Sequence, residues 1–295
     1  MIPWCRSLLF FLAALALAGC PQRPPADAAW QPLGPQRERT VSGLARDGDG
    51  FVVVHDNKHA GEPRMAFLSP RNGVSGLEYR ALSWHGAPLP VDLEAIVREP
   101  GDARAFLAAT SRGDFFRVLL REDTAQATTL ASLPCTDEIE GLDVWSIEAR
   151  LCLIWAERGE DRRPATLSWG WFDAHSGTVT GLSKTTLAMP SLGAHTRHVS
   201  DLRVTPAGAL VVSSATDPGN RGPFSSAVWE AGQFRAVEGA ITFQPAAPPR
   251  RLHFAAGQKI EAIEWISPGV MALGADNEDL GGAILFHTPA LRPAK

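Results

Sequence analysis

The sequence predicts an all-β chain folded as a β-propeller of five blades, on three observations. A two-stranded pattern returns five times at intervals of 52, 46, 60 and 61 residues. Further alternating apolar and polar runs fill the gaps between the copies, and helical periodicity is nearly absent. Repeats of about 40 to 60 residues with several strands each belong to propellers rather than to helical solenoids. A β-sandwich would not explain why one hairpin recurs five times.

The chain has 295 residues, with 45% hydrophobic and 20% charged side chains, a composition that supports a packed core rather than disorder. Lysine and arginine number 28 against 32 acidic residues, for a formal charge of −4. A mildly acidic chain without a basic run lacks the cationic footprint of nucleic-acid binding, and no nucleic-acid partner is expected.

Residues 1–19 read as a targeting segment. Arg6 precedes an eleven-residue apolar run, Leu8 to Ala18, too short to span a bilayer and of the length of a signal-peptide core. Leu17-Ala18-Gly19-Cys20 resembles the lipobox of bacterial lipoproteins. That resemblance implies acylation of Cys20 (palmitate among the chains) and, with Pro21 next rather than the inner-membrane retention Asp, anchorage in the outer membrane facing the periplasm or the exterior. Residues 20–36 hold five prolines and no apolar periodicity, so a lipidated, extended tether is expected there. Cys135 and Cys152 are then left in an oxidising compartment where a bridge could persist, but their spacing does not place them opposite each other in the hairpin, so buried free thiols are an equal expectation.

Residues 37–295 carry the repeats. They begin VSGLARDGDGFVVVHDN at Val41, DLEAIVREPGDARAFLAATSRG at Asp92, EIEGLDVWSIEARLCLIWAERG at Glu138, HVSDLRVTPAGALVVSSATDPG at His198 and KIEAIEWISPGVMALGADNEDLGG at Lys259. Gly48-Asp49-Gly50, Pro100-Gly101-Asp102, Pro206-Ala207-Gly208 and Pro268-Gly269 fall where the hairpin turns belong. Two more runs follow each hairpin, such as ATLSWGWFDA and TVTGLSKTTLA after the third, or SSAVWEAG and FRAVEGAITF after the fourth, giving four strands per blade. The last copy has only AILFHT after it, so a strand near Arg37 to Val41 is expected to complete it and close the ring. A sixth blade fits only if the third or fourth interval hides a degenerate copy. Trp145, Trp155, Trp169, Trp171, Trp229 and Trp265 fall on expected strands, where blade packing uses them.

The opening strands Ser-Gly-Leu, Glu-Ala-Ile and Glu-Gly-Leu, with second strands ending in Asp-Asn or a similar pair, resemble the SdiA-regulated and phytase-like group of bacterial β-propellers. The resemblance implies the propeller architecture. That group includes calcium-dependent phosphohydrolases as well as proteins of no known activity.

An antiparallel hairpin returns its start and end to one edge, so five hairpins around an axis bring both sets of residues to one face. Ser42, Glu94, Glu140, Ser200 and Glu261 are expected around the axis, with Asp56, Asn57, Ser111, Arg112, Glu157, Arg158, Asp217, Asp276 and Asn277 outside them. Converging carboxylates repel, and a cation, raised pKa values or paired arginines must relieve the repulsion. Calcium, held by six to eight oxygens, suits Glu94, Glu140, Glu261, Asp56 and Asp276, with Asn57, Arg112, Arg158 and Asn277 on the binding face. Ion pairing to Arg112 and Arg158 accounts for the same glutamates without a metal. His55 with His59 and His195 with His198 have zinc-like spacing but lack companions, and receive no metal role.

No G-x-S-x-G, Walker, G-x-G-x-x-G or H-E-x-x-H motif is present. The expected function is a non-catalytic, outer-membrane-anchored module that binds a small ligand, a glycan or an envelope protein. The alternative is a calcium-dependent phosphoesterase, for which the few basic groups near the face are a difficulty.

Overall fold

The computed structural model describes residues 29–71 and 76–288. The lipobox, Cys20 and most of the proline-rich segment lie outside these residues. Twenty strands form: β1 (Gln31–Gly34), β2 (Gly43–Asp47), β3 (Gly50–Val54), β4 (Met65–Pro70), β5 (Leu77–His85), β6 (Leu93–Arg98), β7 (Ala105–Thr110), β8 (Phe115–Arg121), β9 (Thr124–Thr129) and β10 (Ile139–Ile147). They continue as β11 (Arg150–Glu157), β12 (Ala165–Asp173), β13 (Thr178–Leu187), β14 (Thr196–Val204), β15 (Ala209–Thr216), β16 (Ser225–Val237), β17 (Ala240–Ala256), β18 (Ile260–Ser267), β19 (Val270–Asp276) and β20 (Gly282–His287). Among the described residues the only helical turns are short 3-10 turns at Arg37–Arg39 and Glu278–Leu280, and no helix is long and apolar enough to cross a membrane.

Three sheets have four strands, in the orders β10-β11-β12-β13, β14-β15-β16-β17 and β1-β20-β19-β18. The fourth has eight, because the antiparallel arrays β2 to β5 and β6 to β9 join through a short parallel pairing of Ser83–His85 with Thr124–Gln126. The first strand of each array is the innermost. β2 packs on β6, β6 on β10, β10 on β14, β14 on β18, and β18 returns to β2, so these strands close a ring.

Every anticipated hairpin turn lies between two strands of one array. Two strand boundaries differ from expectation. The closing strand is Gln31–Gly34, not Arg37–Val41; it pairs with β20 through Gln31 and Ile284, and Leu33 enters the core. It falls inside the segment read as tether because its prolines masked it, although an edge strand tolerates proline. FRAVEGAITF is not one strand but the tip of the β16–β17 hairpin, where Glu238 and Gly239 turn the chain with φ of 51° and 79°.

The core lies between neighbouring arrays in separate apolar clusters. Trp145, Trp169 and Trp229 pack between the third and fourth arrays with Phe234, and Trp155 packs between the second and third. Trp171 and Trp265 are partly buried against the same kind of seam. Cys135 and Cys152 are free thiols, the second fully buried.

Candidate functional site: an acidic ring over an arginine plug

The ring residues are aimed by one local device. Pairing between the two inner strands skips a residue between Leu93 and Ala95, between Ile139 and Gly141, and between Ile260 and Ala262. The residues left over are Glu94, Glu140 and Glu261. A β-bulge of this kind leaves one residue out of the ladder and redirects its side chain. In the fourth hairpin the shift spans Arg197 to Asp201 and includes Ser200. In the first, Ser42 precedes β2 and its Oγ accepts the Asp56 N–H at 3.1 Å.

The residue after four of the five ring positions (Gly43, Ala95, Gly141 and Ala262) is small for a steric reason. A Cβ on Gly43 would lie 2.9 Å from the Glu94 carbonyl oxygen, and one on Gly141 would lie 2.8 Å from the Leu202 nitrogen. Neighbouring inner strands approach closely there. The Glu-Gly, Glu-Ala and Ser-Gly pairs thus combine an axial side chain with room for the next strand.

Glu94, Glu140 and Glu261 do converge, and partly buried arginines and a buried lysine are interleaved among them. Arg158 Nε donates to Glu140 Oε1 at 2.8 Å. Arg197 Nη1 donates to Glu261 Oε1 at 3.1 Å and lies 3.9 Å from Glu140. Lys259 is 1% exposed and pairs with Glu261 at 3.2 Å, Asp217 at 3.5 Å and Glu278. Arg37 bridges Asp56 at 3.3 Å and Glu278 at 2.7 Å, and Lys58 meets Asp92 at 2.9 Å. Burial alone would lower the pKa of Arg197, but Glu140, Glu261 and Asp217 hold it above its ordinary range.

Eight carboxylates (Asp56, Asp92, Glu94, Glu140, Asp217, Glu261, Asp276 and Glu278) stand against these five cations. The excess falls between the first and second arrays. Among the described residues no arginine or lysine lies within ion-pair distance of Glu94. Burial, then Glu140, Asp56, Asp92 and Glu261, push its carboxyl well above the usual range. Burial and Asp276 push Asp56 up to about 6 despite Arg37, and its Oδ1 has no hydrogen-bond partner. Glu94 remains partly open to solvent, whereas Glu140 and Glu261 are buried.

The other expected binding-face residues divide. Asn57 Nδ2 donates to the carbonyls of Glu38 and Pro63, at 3.2 and 2.7 Å. Asn277 accepts the Lys259 N–H and donates to Gln258, both at 2.8 Å. Both amides therefore brace loops. Asp276 is buried and accepts the Glu278 N–H at 2.7 Å. Arg112 is exposed and pairs with none of the ring carboxylates, so Arg158 performs the neutralisation shared between them in the sequence reading.

In the ring, one oxygen each of Glu140, Glu261 and Asp276 accepts from a protein donor, Arg158 Nε, Arg197 Nη1 and the Glu278 N–H respectively. Among the described residues, the group of three acidic or imidazole side chains with ligand atoms within 4.8 Å of one another is Glu160, Asp161 and His195, all exposed on the rim. His55 is buried, with Nδ1 2.5 Å from the Thr40 carbonyl oxygen and Nε2 3.1 Å from the Tyr79 hydroxyl, and burial lowers its pKa to about 4.

Below the ring, Arg203 closes the axis. Its Nη1 donates to the carbonyls of Leu142 at 3.0 Å and Leu202 at 2.6 Å, and Nη2 to those of Leu44 at 2.5 Å and Ile96 at 2.9 Å. Four of the five innermost strands thus meet one guanidinium. The fifth supplies Glu264, 3.5 Å from Nε, and Asp201 pairs at 3.2 Å. Asp143 and Asp201 also tie neighbours together, accepting the N–H groups of Val204 at 2.5 Å and Ile263 at 2.7 Å.

Sequence reasoning missed Arg37, Arg197, Lys259, Asp92 and Arg203. The cations occur once each, at non-equivalent positions in the repeat, so a search for recurrence passes over them.

Fold and ring together define an all-β protein whose structural neighbours are β-propellers. No family model matches the chain, and no curated protein matches it in sequence. It is similar to the solved structure described as Bacteroides ovatus Xyloglucan PUL GH43B, with 11% identity and a TM-score of 0.53 over 90% of this chain and 55% of that one. The β-propeller domain of Myceliophteria thermophila Cps50 (Swd1) matches at 11% identity and a TM-score of 0.44, covering 83% of each chain. The PQQ domain of pyranose dehydrogenase from Coprinopsis cinerea matches at 9% identity and a TM-score of 0.47, over 84% of this chain and 92% of that one. At such identities the likeness concerns the fold alone.

Proposed function

We propose that this chain is a lipoprotein of the bacterial outer membrane, anchored through Cys20, whose body is a five-bladed β-propeller acting as a non-catalytic binding module. Its ligand is a small molecule carrying positive charge, seated on the axial face between the first and second arrays. The blade count rests on the closed cycle of five innermost strands. The ligand assignment rests on one observation: Glu94, recessed among carboxylates and partly open to solvent, has no arginine or lysine in ion-pair reach among the described residues. An entering ammonium group would relieve that repulsion. The phosphoesterase alternative draws no support from the ring, because Arg158, Arg197 and Lys259 are each held by carboxylates and none is left to meet a phosphate.

The test is thermal unfolding of the full chain with putrescine, spermidine or calcium chloride, each against sodium chloride at matched ionic strength. An amine-dependent rise in midpoint that Glu94→Gln abolishes is the expected result. Equal responses in both proteins would overturn the reading. A rise with calcium alone, lost in the same variant, would replace the amine with a metal. For the anchor, acylation blocked by globomycin and loss of membrane partition in Cys20→Ser are expected; a Cys20→Ser chain that stays with membranes would refute it.

A further inference from the structure

The seam between the fourth and fifth arrays contains two imidazoles that the axial ring does not use. His253 on β17 and His287 on β20 face each other with ring centroids 4.2 Å apart and planes inclined by 53°. The Nε2 atom of each is shut off from solvent and has no hydrogen-bond partner among the described residues. A single such orphan is uncommon, because a buried polar atom without a partner loses its hydration and gains nothing in return. Two on adjacent rings call for a shared explanation.

Burial, then the neighbouring His287, lowers the pKa of His253 to about 4, and burial also lowers His287, so both rings are neutral near pH 7. A hydrogen bond between His287 and the Leu252 backbone supports its orientation. With their protons on Nδ1, the two neutral rings would turn Nε2 lone pairs toward each other, and a cation that accepts both lone pairs removes the conflict. The sheet supplies a third donor. Met271 is the cross-strand partner of His287, and Trp265 is the cross-strand partner of Met271, so the register puts all three on one face of the fifth array. Met271 is fully buried in the apolar cluster that fills this seam, with Val228, the cross-strand partner of His253, in the same cluster. Two imidazoles and a thioether in an apolar seam form a soft ligand set. No carboxylate belongs to it, which disfavours calcium and magnesium, and thioether donors select copper(I) over zinc.

We infer that His253 and His287, with Met271 beside them, form a binding site for a single copper(I) ion at the seam between the fourth and fifth arrays. The imidazole Nε2 atoms are the primary ligands, and the thioether sets the preference for a soft ion. Both histidines are only partly buried as residues, so the site lies within reach of the surface.

The test uses the full chain in detergent under anaerobic conditions, titrated with copper(I) against bicinchoninate and, separately, with zinc(II). One copper per chain is expected, with the affinity falling at least about tenfold in His253→Phe and in His287→Phe. X-ray absorption should report nitrogen and sulfur neighbours, and Met271→Leu should lose the sulfur contribution and lower the copper-over-zinc preference. His287→Gln, which preserves shape and polarity, guards against a loss that reflects misfolding, and the near-ultraviolet circular dichroism of each metal-free variant is compared with the parent. Copper binding that persists in the His253→Phe/His287→Phe double variant, as would follow from capture by Cys135 instead, overturns the site. So does the absence of bound copper in the parent, or zinc held as tightly as copper with Met271→Leu unchanged.

Discussion

Arg203 donates through Nη2 to the carbonyl oxygen of Ile96 at 2.9 Å, across 107 positions of sequence. The same guanidinium serves Leu44, Leu142 and Leu202, so the inner strands of four arrays share one planar donor. Only a fork of several fixed N–H groups can do this; a lysine ammonium offers one point of attachment.

Replacing Arg203 with methionine should therefore cost about 3 to 5 kcal/mol, because it strands the buried Asp201 and the partly buried Glu264 beside unpaired carbonyls. Chemical denaturation measures this, and Arg203→Lys should recover little of the loss. A variant within about 1 kcal/mol of the parent would show that the axis is held by apolar packing alone.

Glu94 gives stability a pH dependence of defined sign. Its pKa is raised on folding, so the native state keeps a proton that the unfolded chain releases. Stability should then be greatest below the unfolded value of about 4.5 and fall as the pH rises through the raised native range. Asp56, raised to about 6, acts in the same direction. Unfolding midpoints measured between about pH 4 and pH 8 should decline in the parent, and Glu94→Gln should flatten the slope. His55, His253 and His287, lowered on folding, act oppositely: their contribution is present above about pH 6.5 and lost on acidification, so the comparison must be made with all three histidines intact.

Gly141→Ala should destabilise the protein by about 1 to 3 kcal/mol, because the added methyl would sit 2.8 Å from the Leu202 nitrogen and 3.0 Å from its Cγ. Backbone must move to admit it. Gly48→Ala meets no atom within 4 Å and is limited to the cost of its positive φ, so its smaller effect provides the control. Equal losses at the two sites would contradict the close approach of the inner strands.

Deleting residues through Gln36 should lower the unfolding midpoint and promote self-association, since the free edge of β20 would face solvent and Leu33 would leave the core. Size-exclusion chromatography of this deletion distinguishes the outcomes. A monomer of unchanged stability would show that β1 is dispensable.

The repeat and its ring positions were legible because they recur. Ser42, Glu94, Glu140, Ser200 and Glu261 hold equivalent places, and the small residue after four of them marks the close strand contact. The bulges were hidden, since skipping one residue leaves the alternation of a short strand almost unchanged. Arg197, Lys259 and Arg203 were hidden for a different reason. Each satisfies several arrays at once from a position with no counterpart elsewhere, so tertiary pairing rather than local pattern decides its role. The closing strand was misplaced because the prolines that suggest a tether are also compatible with a sheet edge, and only its partner β20 identifies it.

That partnership joins two stretches that are far apart in sequence. Gln31 must find Ile284, so the final seam can be sewn only after all the strands between them have been made. Until then an open crescent with two raw margins is the largest object those strands can build, and a chaperone that shields the margins would serve it best.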